Sequence, residues 1–448
     1  MKKLSFHKDL YSETNRRVYS FLFGDLNSPA DVSSEHTEYI NYYILNLLDE
    51  EHSSLGKAVS HIVDNSMHFF ADFLLRFEED LDEIKERFKI FGIISGLLFP
   101  SPETRPDGFC VIILVFNNTQ KLVYKPRDLV NDEIWNSLLV FCRIKLHVNF
   151  STETTLLNKV AYGWTSYHEA LPCQSYSELQ SYYQNLGSLC SLLTLLGSRD
   201  IVKSNLMAIK EFPTLLDLEM IVYPSLIYND DSGSILDVDK IGFIPKTKKS
   251  LNFSSNRSII AIAPDINDNY ISHIPLLHNR LETIESHLPI FLDSYERFLK
   301  LILSKKSEFL SSNAFHLLNA AEEHIIFRST FTYSLIRSYV SNQLKTQCTI
   351  TDIQNWLLKK IPLNIKMTNN EENCLVEHEI SILLSGDFPK FKMRSKENDN
   401  TKTYKMSFYK ESGYEKANSN INKLSRSNIY LLKRYLQLVI TESFTIEH

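Results

Sequence analysis

The amino-acid sequence predicts an α+β fold, with a small β layer between an N-terminal helical region and a large helical lobe. Three observations carry that reading. Residues 60–88, SHIVDNSMHFFADFLLRFEEDLDEIKERF, place apolar side chains at intervals of three and four, the spacing that lines one face of a helix. Residues 109–124 change period: FCVIILVF, then NNTQ, then KLVY reads as strand, turn and strand, a hairpin whose second strand delivers Lys125. From Ile274 onward helical spacing returns, in IPLLHNRLETIESHLPIFLDSYERFLKLIL (274–303) and SNIYLLKRYLQLVI (427–440).

Between these landmarks the order fills in. DEIWNSLLVFCRI (132–144) reads as a helix, and SELQSYYQNLGSLCSLLTLLG (177–197) as a longer one closed by Gly197 as a C-cap. NLMAI (205–209) and FPTLLDLEMIVY (212–223) are strand-like and split by Pro213. There is no internal repeat and no Pro/Gly-rich linker, and RSKENDNTKTYK (394–405) reads as a solvated loop. The expected organisation is a helical region over 1–95, a β-rich lobe carrying Lys125 over 96–170, and a catalytic and helical lobe over 171–448.

Composition bounds the function. A chain of 448 residues with 43% hydrophobic content, 12 Gly and 14 Pro builds ordinary globular cores rather than a disordered tail. A net charge of -6 argues against a nucleic-acid partner held by bulk charge. MKKLSFHKDLYSE lacks an apolar segment after its lysines, and the longest apolar runs, CVIILVF and IFGIISGLLFP, are too short for a bilayer. A cytoplasmic protein without a membrane span is the expectation. Six cysteines without a CxxC pair read as reduced core thiols.

The segment GSRDIVKSNLMAIKEFPTLLDLE (197–219) poses the chemical question, because it sets Asp200, Asn205 and Asp217 among apolar residues. A buried carboxylate needs a partner. Phosphoryl transfer supplies one: it uses a strand Lys on the phosphates, an Asp that orients the hydroxyl, an Asn five residues later on Mg²⁺, and a second Asp on the metal. Lys125, Asp200, Asn205 and Asp217 stand in that order. Each element taken singly also fits a helix cap or a salt bridge. No GxGxxG loop and no H-R-D-L run are present, which sets the chain apart from ordinary protein kinases.

At these residues the chain resembles the dehydratase domain of class II lanthipeptide synthetases. The resemblance runs through LVYKPR (122–127), YGWTSY (162–167), LPC (171–173), YYQNLGSL (182–189), NLMAI, LLDLE, GFIP (242–245), FRSTFTY (327–333) and LLSGDFPKF (383–391). It implies a lipid-kinase-like fold of two lobes, a small β-rich N-lobe and a large, mainly helical C-lobe. It also implies a two-step reaction: ATP phosphorylates Ser or Thr of a precursor peptide, then phosphate is eliminated to leave a dehydroamino acid. By position, Lys125 would hold ATP phosphate, Asp200 would act on the hydroxyl, and Asn205 with Asp217 would bind Mg²⁺.

The chain departs from the family at several positions. Val202 stands where the family has His. The family's D-x-H-x-x-G turn reads Glu103, Thr104, Arg105, Pro106, Asp107, Gly108, and His324 replaces the family's Arg six residues before Thr330. Two readings stay open. In one, Arg105 and His324 have exchanged places, so that Glu103, Arg105, His324 and Thr330 keep the elimination inventory. In the other, the chain phosphorylates without eliminating, or is a silent peptide-binding relative. The resemblance stops before a cyclase domain, so ring closure would fall to a separate cyclase.

Three further features carry bland readings. Tyr162, Gly163, Trp164, Tyr167 and His168 are expected as packed core, the basic stretch 245–257 as a solvated loop, and GDFP (386–389) as a turn.

Overall fold

The computed structural model describes residues 7–23, 54–100, 109–228, 235–243, 272–344, 349–361, 363, 365–394 and 407–444. Glu103 and Arg105, the stretch 245–257 and residues 395–405 lie outside the described residues.

Helices α1 (His7–Phe23) and α2 (Ser54–Phe88) precede a five-stranded sheet. Its strands are β1 (Ile94–Leu98), β2 (Ile112–Phe116), β3 (Lys121–Lys125), β4 (Leu156–Asn158) and β5 (Gly163–Ser166), in spatial order β1-β2-β3-β5-β4 and antiparallel throughout. The expected hairpin is β2–β3, with Ile112 opposite Tyr124. Helix α2 covers one face with Phe69, Phe70 and Phe73: Phe69 and Phe73 meet Tyr124, Phe73 also meets Trp164, and Phe70 packs on Phe69 and Phe99. Polar tips there are satisfied: Arg76 donates to the Tyr124 hydroxyl at 2.7 Å and the Trp164 indole to Asp80 at 2.7 Å. Gly163 and Trp164 are buried and Tyr162 packs against them, as expected, whereas Tyr167 and His168 are half-buried outside this core, beside Lys121 and Thr154.

Helix α3 (Val130–Lys145) separates β3 from β4 in sequence, and α4 (Tyr176–Leu196) follows β5. Both ends of α4 are set locally. Ser175 accepts from the Glu178 amide, and Gly197, at φ 68°, returns its own amide to Leu193 and Thr194 in the left-handed cap that glycine permits. The hairpin β6 (Leu206–Ile209) and β7 (Phe212–Leu215) comes next, then β8 (Ser225–Leu226).

Two expectations need correcting here. Pro213 does not divide the strand pair: it sits inside β7 opposite Ala208, and the turn falls at Lys210, whose φ is 53°. The stretch from Ile274 does not begin as helix either. It opens with a short hairpin, β9 (Leu276–Leu277) and β10 (Arg280–Leu281), and becomes helical only at α5 (Leu288–Ser304), where Pro289 lies in the first turn.

The remaining elements are α6 (Lys306–Leu310), α7 (Asn313–His316), β11 (Glu322–Ile325), α8 (Thr330–Leu344), α9 (Ile350–Lys360), α10 (Asn369–Leu384), β12 (Phe391–Arg394), β13 (Tyr409–Glu411), α11 (Gly413–Lys423) and α12 (Arg426–Phe444). A second core, built on α4 and α5 and joined by α11 and α12, is separate from the sheet core. The fold is α+β, with small sheets among helices. GDFP is a turn: Gly386 has φ 83° and Phe388 is buried. Cys110, Cys142, Cys173 and Cys190 are buried free thiols, whereas Cys374 is exposed and corrects the expectation of core thiols alone. Among the described residues no helix is long and apolar enough to cross a membrane.

Candidate active site

Lys125 closes β3 opposite Gly163, and that glycine matters for what reaches the lysine. A Cβ at Gly163 would stand 2.3 Å from a Leu129 methyl and 2.8 Å from the Leu157 carbonyl oxygen, so any larger residue pushes Leu129 away. Leu129 leads directly into α3, whose first turn carries Asp132. An acid is favoured there by the helix dipole, and the close approach brings it to the strand. Lys125 Nζ donates to Asp132 Oδ1 at 3.0 Å and to the Leu216 carbonyl at 3.0 Å.

The second contact ties Lys125 to the loop that carries the other expected residues. After Gly197, the Arg199 amide donates to the Met220 carbonyl at 3.0 Å and the Ile201 amide to Ile241 at 2.9 Å. Held between these bonds, Asp200 takes a left-handed φ of 55°. Asn205 Nδ2 donates to the Asp200 carbonyl at 2.9 Å, which points the amide oxygen away from Asp200. The β6–β7 hairpin then returns the chain, and the Leu216 amide donates to the Asn205 carbonyl at 2.9 Å. Asp200, Asn205, Leu216 and Lys125 are thus linked by successive hydrogen bonds, with Asp217 adjoining. Val202, at the position of the family's His, is extended and precedes the turn Lys203–Asn205.

The burial that motivated this search is distributed differently from the expectation. Asp200 is exposed and the Asp217 side chain is 39% accessible, while the acid sunk in the apolar run is Glu219. Its partner is Arg127, itself buried. Arg127 Nη1 donates to Asp132 Oδ2 at 2.7 Å, Nε faces Glu219 Oε1 at 3.0 Å, and Nη2 lies 3.6 Å from Asp217 Oδ1.

Glu219 extends the network to His324, whose two ring nitrogens both face acids: Nδ1 is 3.2 Å from Glu219 Oε2 and Nε2 is 2.9 Å from Glu322 Oε1. Lys390 pairs with Glu219, and Lys392 with Glu322 at 2.8 Å. Acids and basic groups therefore alternate from Lys125 through Asp132, Arg127, Glu219, the His324 imidazole and Glu322 to Lys392. Thr330 begins α8 beyond this point. Arg328 is spent elsewhere, with Nε 3.0 Å from Glu379.

The electrostatics follow from burial against pairing. Burial alone would lower the basicity of Arg127, but Asp132, Glu219 and Asp217 outweigh it and hold the guanidinium well above its usual range. Burial would raise Asp132, yet Arg127 and Lys125 keep its carboxyl below the ordinary value. Glu322 is likewise raised by burial, and hydrogen bonds from His324 and Lys392 with their charge overcome it, leaving the carboxyl lowered to about 2.

Behind the Asp200 loop a second cluster gathers three cations on one acid. Asp237 lies 3.2 Å from Lys416, 3.1 Å from Lys240 and 3.6 Å from Arg199. Burial and the neighbouring Arg199 depress Lys416 to about 8, although Asp237 opposes the shift.

Mg²⁺ is tested by the donor set. Asp217 Oδ1 accepts the Glu219 amide at 3.1 Å, while Oδ2 takes no hydrogen bond among the described residues. Asn205 Oδ1 has one long contact, from Ser204 at 3.4 Å. Among the described residues no group of three or more His, Cys, Asp or Glu side chains is arranged for a metal. One carboxylate and one amide oxygen nevertheless fit a hard cation that keeps waters and takes substrate phosphates.

Asp132, Arg127, Glu219, Glu322 and Lys390 were not among the expected site residues. Arg127 and Glu219 lie inside the motifs LVYKPR and LLDLE, which is the only signal the sequence offers for them.

Comparison with known proteins agrees with the motifs. Residues 52–263 match the family model described as Domain of unknown function (DUF4135). The chain is 26% identical over 348 residues to the "Lacticin 481/lactococcin biosynthesis protein LcnDR2" of Lactococcus lactis subsp. lactis, a match covering 64% of this chain and 37% of that relative. The matched region spans little more than a third of the relative's length. Motif order and these matches point the same way: over much of its length the chain is similar to the DUF4135 family model and to a lantibiotic biosynthesis protein.

Proposed function

We propose that the chain acts in lanthipeptide biosynthesis, transferring the terminal phosphoryl group of ATP to Ser or Thr of a precursor peptide and then eliminating phosphate, on a lipid-kinase-like two-lobed frame. One observation carries the first step. The Lys125 ammonium rests on the Leu216 carbonyl, and Leu216 is bonded to Asn205 and adjoins Asp217, so the residues proposed for phosphate and for metal lie on hydrogen-bonded neighbouring segments.

In the transfer step the peptide hydroxyl oxygen bonds to the γ-phosphorus as the β–γ bridging P–O bond breaks, and the hydroxyl proton leaves toward Asp200. Asp132 keeps Lys125 directed at the phosphates, the role an acid on the following helix plays for a strand lysine in kinases. The Asn205 amide, bonded to the Asp200 carbonyl, fixes the loop that presents Asp200. Bound at Asn205 and Asp217, Mg²⁺ would neutralise charge on the transferring phosphates.

In elimination a base removes the α-proton, the Cβ–O bond breaks, a double bond forms and phosphate leaves. Arg127, Lys390 and Lys392, each paired with an acid of the same network, are the cations nearest to hand for a departing anion.

A second reading, phosphorylation without elimination, is favoured by His324 itself. Both ring nitrogens already face acids, Glu219 at 3.2 Å and Glu322 at 2.9 Å, which leaves neither turned toward a substrate α-carbon. The experiment is incubation of a Ser/Thr-rich precursor peptide with ATP and Mg²⁺, followed by mass measurement. Loss of water supports the full reaction and a stable phosphate gain supports transfer alone. An unchanged peptide, with no ATP or Mg²⁺ bound by the protein, overturns both.

A further inference from the structure

Arg127 is spoken for on two of its three nitrogens. Nη1 donates to Asp132 Oδ2 at 2.7 Å and to the Asp128 carbonyl at 3.0 Å, and Nε faces Glu219 Oε1 at 3.0 Å. Nη2 is buried and has no hydrogen-bond partner among the described residues. Facing it is Asp217, with Oδ1 3.6 Å away, beyond hydrogen-bond reach. A buried guanidinium N–H without an acceptor is costly and is kept where a ligand or a small rearrangement offsets it.

The side chain is also rigidly anchored. Asp132 divides its two oxygens between Lys125 and Arg127, so one carboxylate sets the distance between the ammonium and the guanidinium. Glu219 is held by the same guanidinium, and its amide donates to Asp217 Oδ1 at 3.1 Å. Arg127 therefore controls Asp217 twice, by charge on Oδ1 and by fixing the backbone that bonds that oxygen. The oxygen left over is Oδ2.

From this geometry we propose that Arg127 is a positioning residue for metal binding: it locks Asp217 Oδ1 and presents Oδ2 to the divalent cation. The proposal rests on the phosphoryl-transfer reading and adds to it the residue that aims the metal ligand. A lysine cannot replace it, since an ammonium keeps the charge but not the fork that spans Asp132, Glu219 and Asp217 at once.

The test compares wild type, Arg127→Lys, Asp217→Asn and the double variant. Mn²⁺ uptake in the presence of ADP is read by electron paramagnetic resonance, ADP affinity is measured without metal, and melting temperature is recorded without either. Arg127→Lys is expected to weaken Mn²⁺ binding by roughly 10–100-fold, the usual effect of removing a group that orients a ligand, with metal-free ADP binding unchanged. In the Asp217→Asn background it should add nothing further.

Folded Arg127→Lys protein with wild-type Mn²⁺ affinity overturns the proposal, as does an equal loss in the Asp217→Asn background. A wild type that takes up no Mn²⁺ with ADP overturns the parent reading as well, a result distinct from normal uptake by the variant. If Arg127→Lys melts too low to assay, Glu219→Gln carries the same expectation, because it loosens the guanidinium without touching Lys125 or Asp132.

Discussion

Lys125 and Leu216 meet at 3.0 Å, side-chain nitrogen to main-chain oxygen, and through this contact a strand of the sheet touches the turn that carries Asp217. The acceptor is a backbone atom, so no substitution at position 216 removes it. Specificity lies with the lysine.

Lys125→Met should therefore keep the fold and lose phosphoryl transfer. Its methylenes still fill the space, and Asp132 retains Arg127. The expected loss is on the order of 10²-fold or more in kcat, with a melting temperature close to wild type. Steady-state kinetics with ATP and peptide, beside a thermal melt, check both halves.

Asp132→Ala should instead act on stability. It strands two buried cations at once, Lys125 and Arg127, and breaking one side of a buried charge pair costs roughly 3–5 kcal/mol. Urea denaturation monitored by tryptophan fluorescence should show the midpoint falling accordingly, with Asp132→Asn intermediate.

Acid should expose the contribution of Glu322. Its carboxyl is held lower in the folded chain, at about 2 against an ordinary 4.5, so its stabilisation is complete above the unfolded value and is lost as pH falls toward the folded one. The contribution is at most about 3 kcal/mol. Between pH 4.5 and about 2 the stability of Glu322→Gln should fall less steeply than that of wild type. Parallel curves would remove Glu322 from the acid response.

Lys416 should act in the opposite pH range. Its folded value, about 8, lies below the ordinary 10.5, so across that window the unfolded chain binds more protons and stability rises with pH. Lys416→Met should flatten that rise, and Asp237 keeps Lys240 and Arg199 as partners in the variant. Denaturation at a series of alkaline pH values measures the difference.

What could be read from the sequence was local. The β2–β3 hairpin, the glycine cap of α4 and the buried Trp164 each follow from neighbouring residues or from alternation. Spacing along the chain set Lys125, Asp200, Asn205 and Asp217 in order, and the structure adds the hydrogen bonds that link their segments. The partners were not legible: Asp132 reaches Arg127 from the next helix, and Glu219 reaches His324 across 105 residues, pairings that only tertiary packing creates. The β9–β10 hairpin escaped for another reason, since its short strands lie within a run whose apolar spacing is equally helical.

The alternating row of acids and basic groups from Lys125 to Lys392 bears on how the chain can be dissected. It draws on segments near residues 125–132, 217–219, 322–324 and 390–392, while the matched family region ends at 263. A recombinant fragment trimmed to that region would retain Arg127 and Glu219 but lose His324 and Lys390, which face Glu219 from downstream, so excision at the family-model border cuts through the site itself.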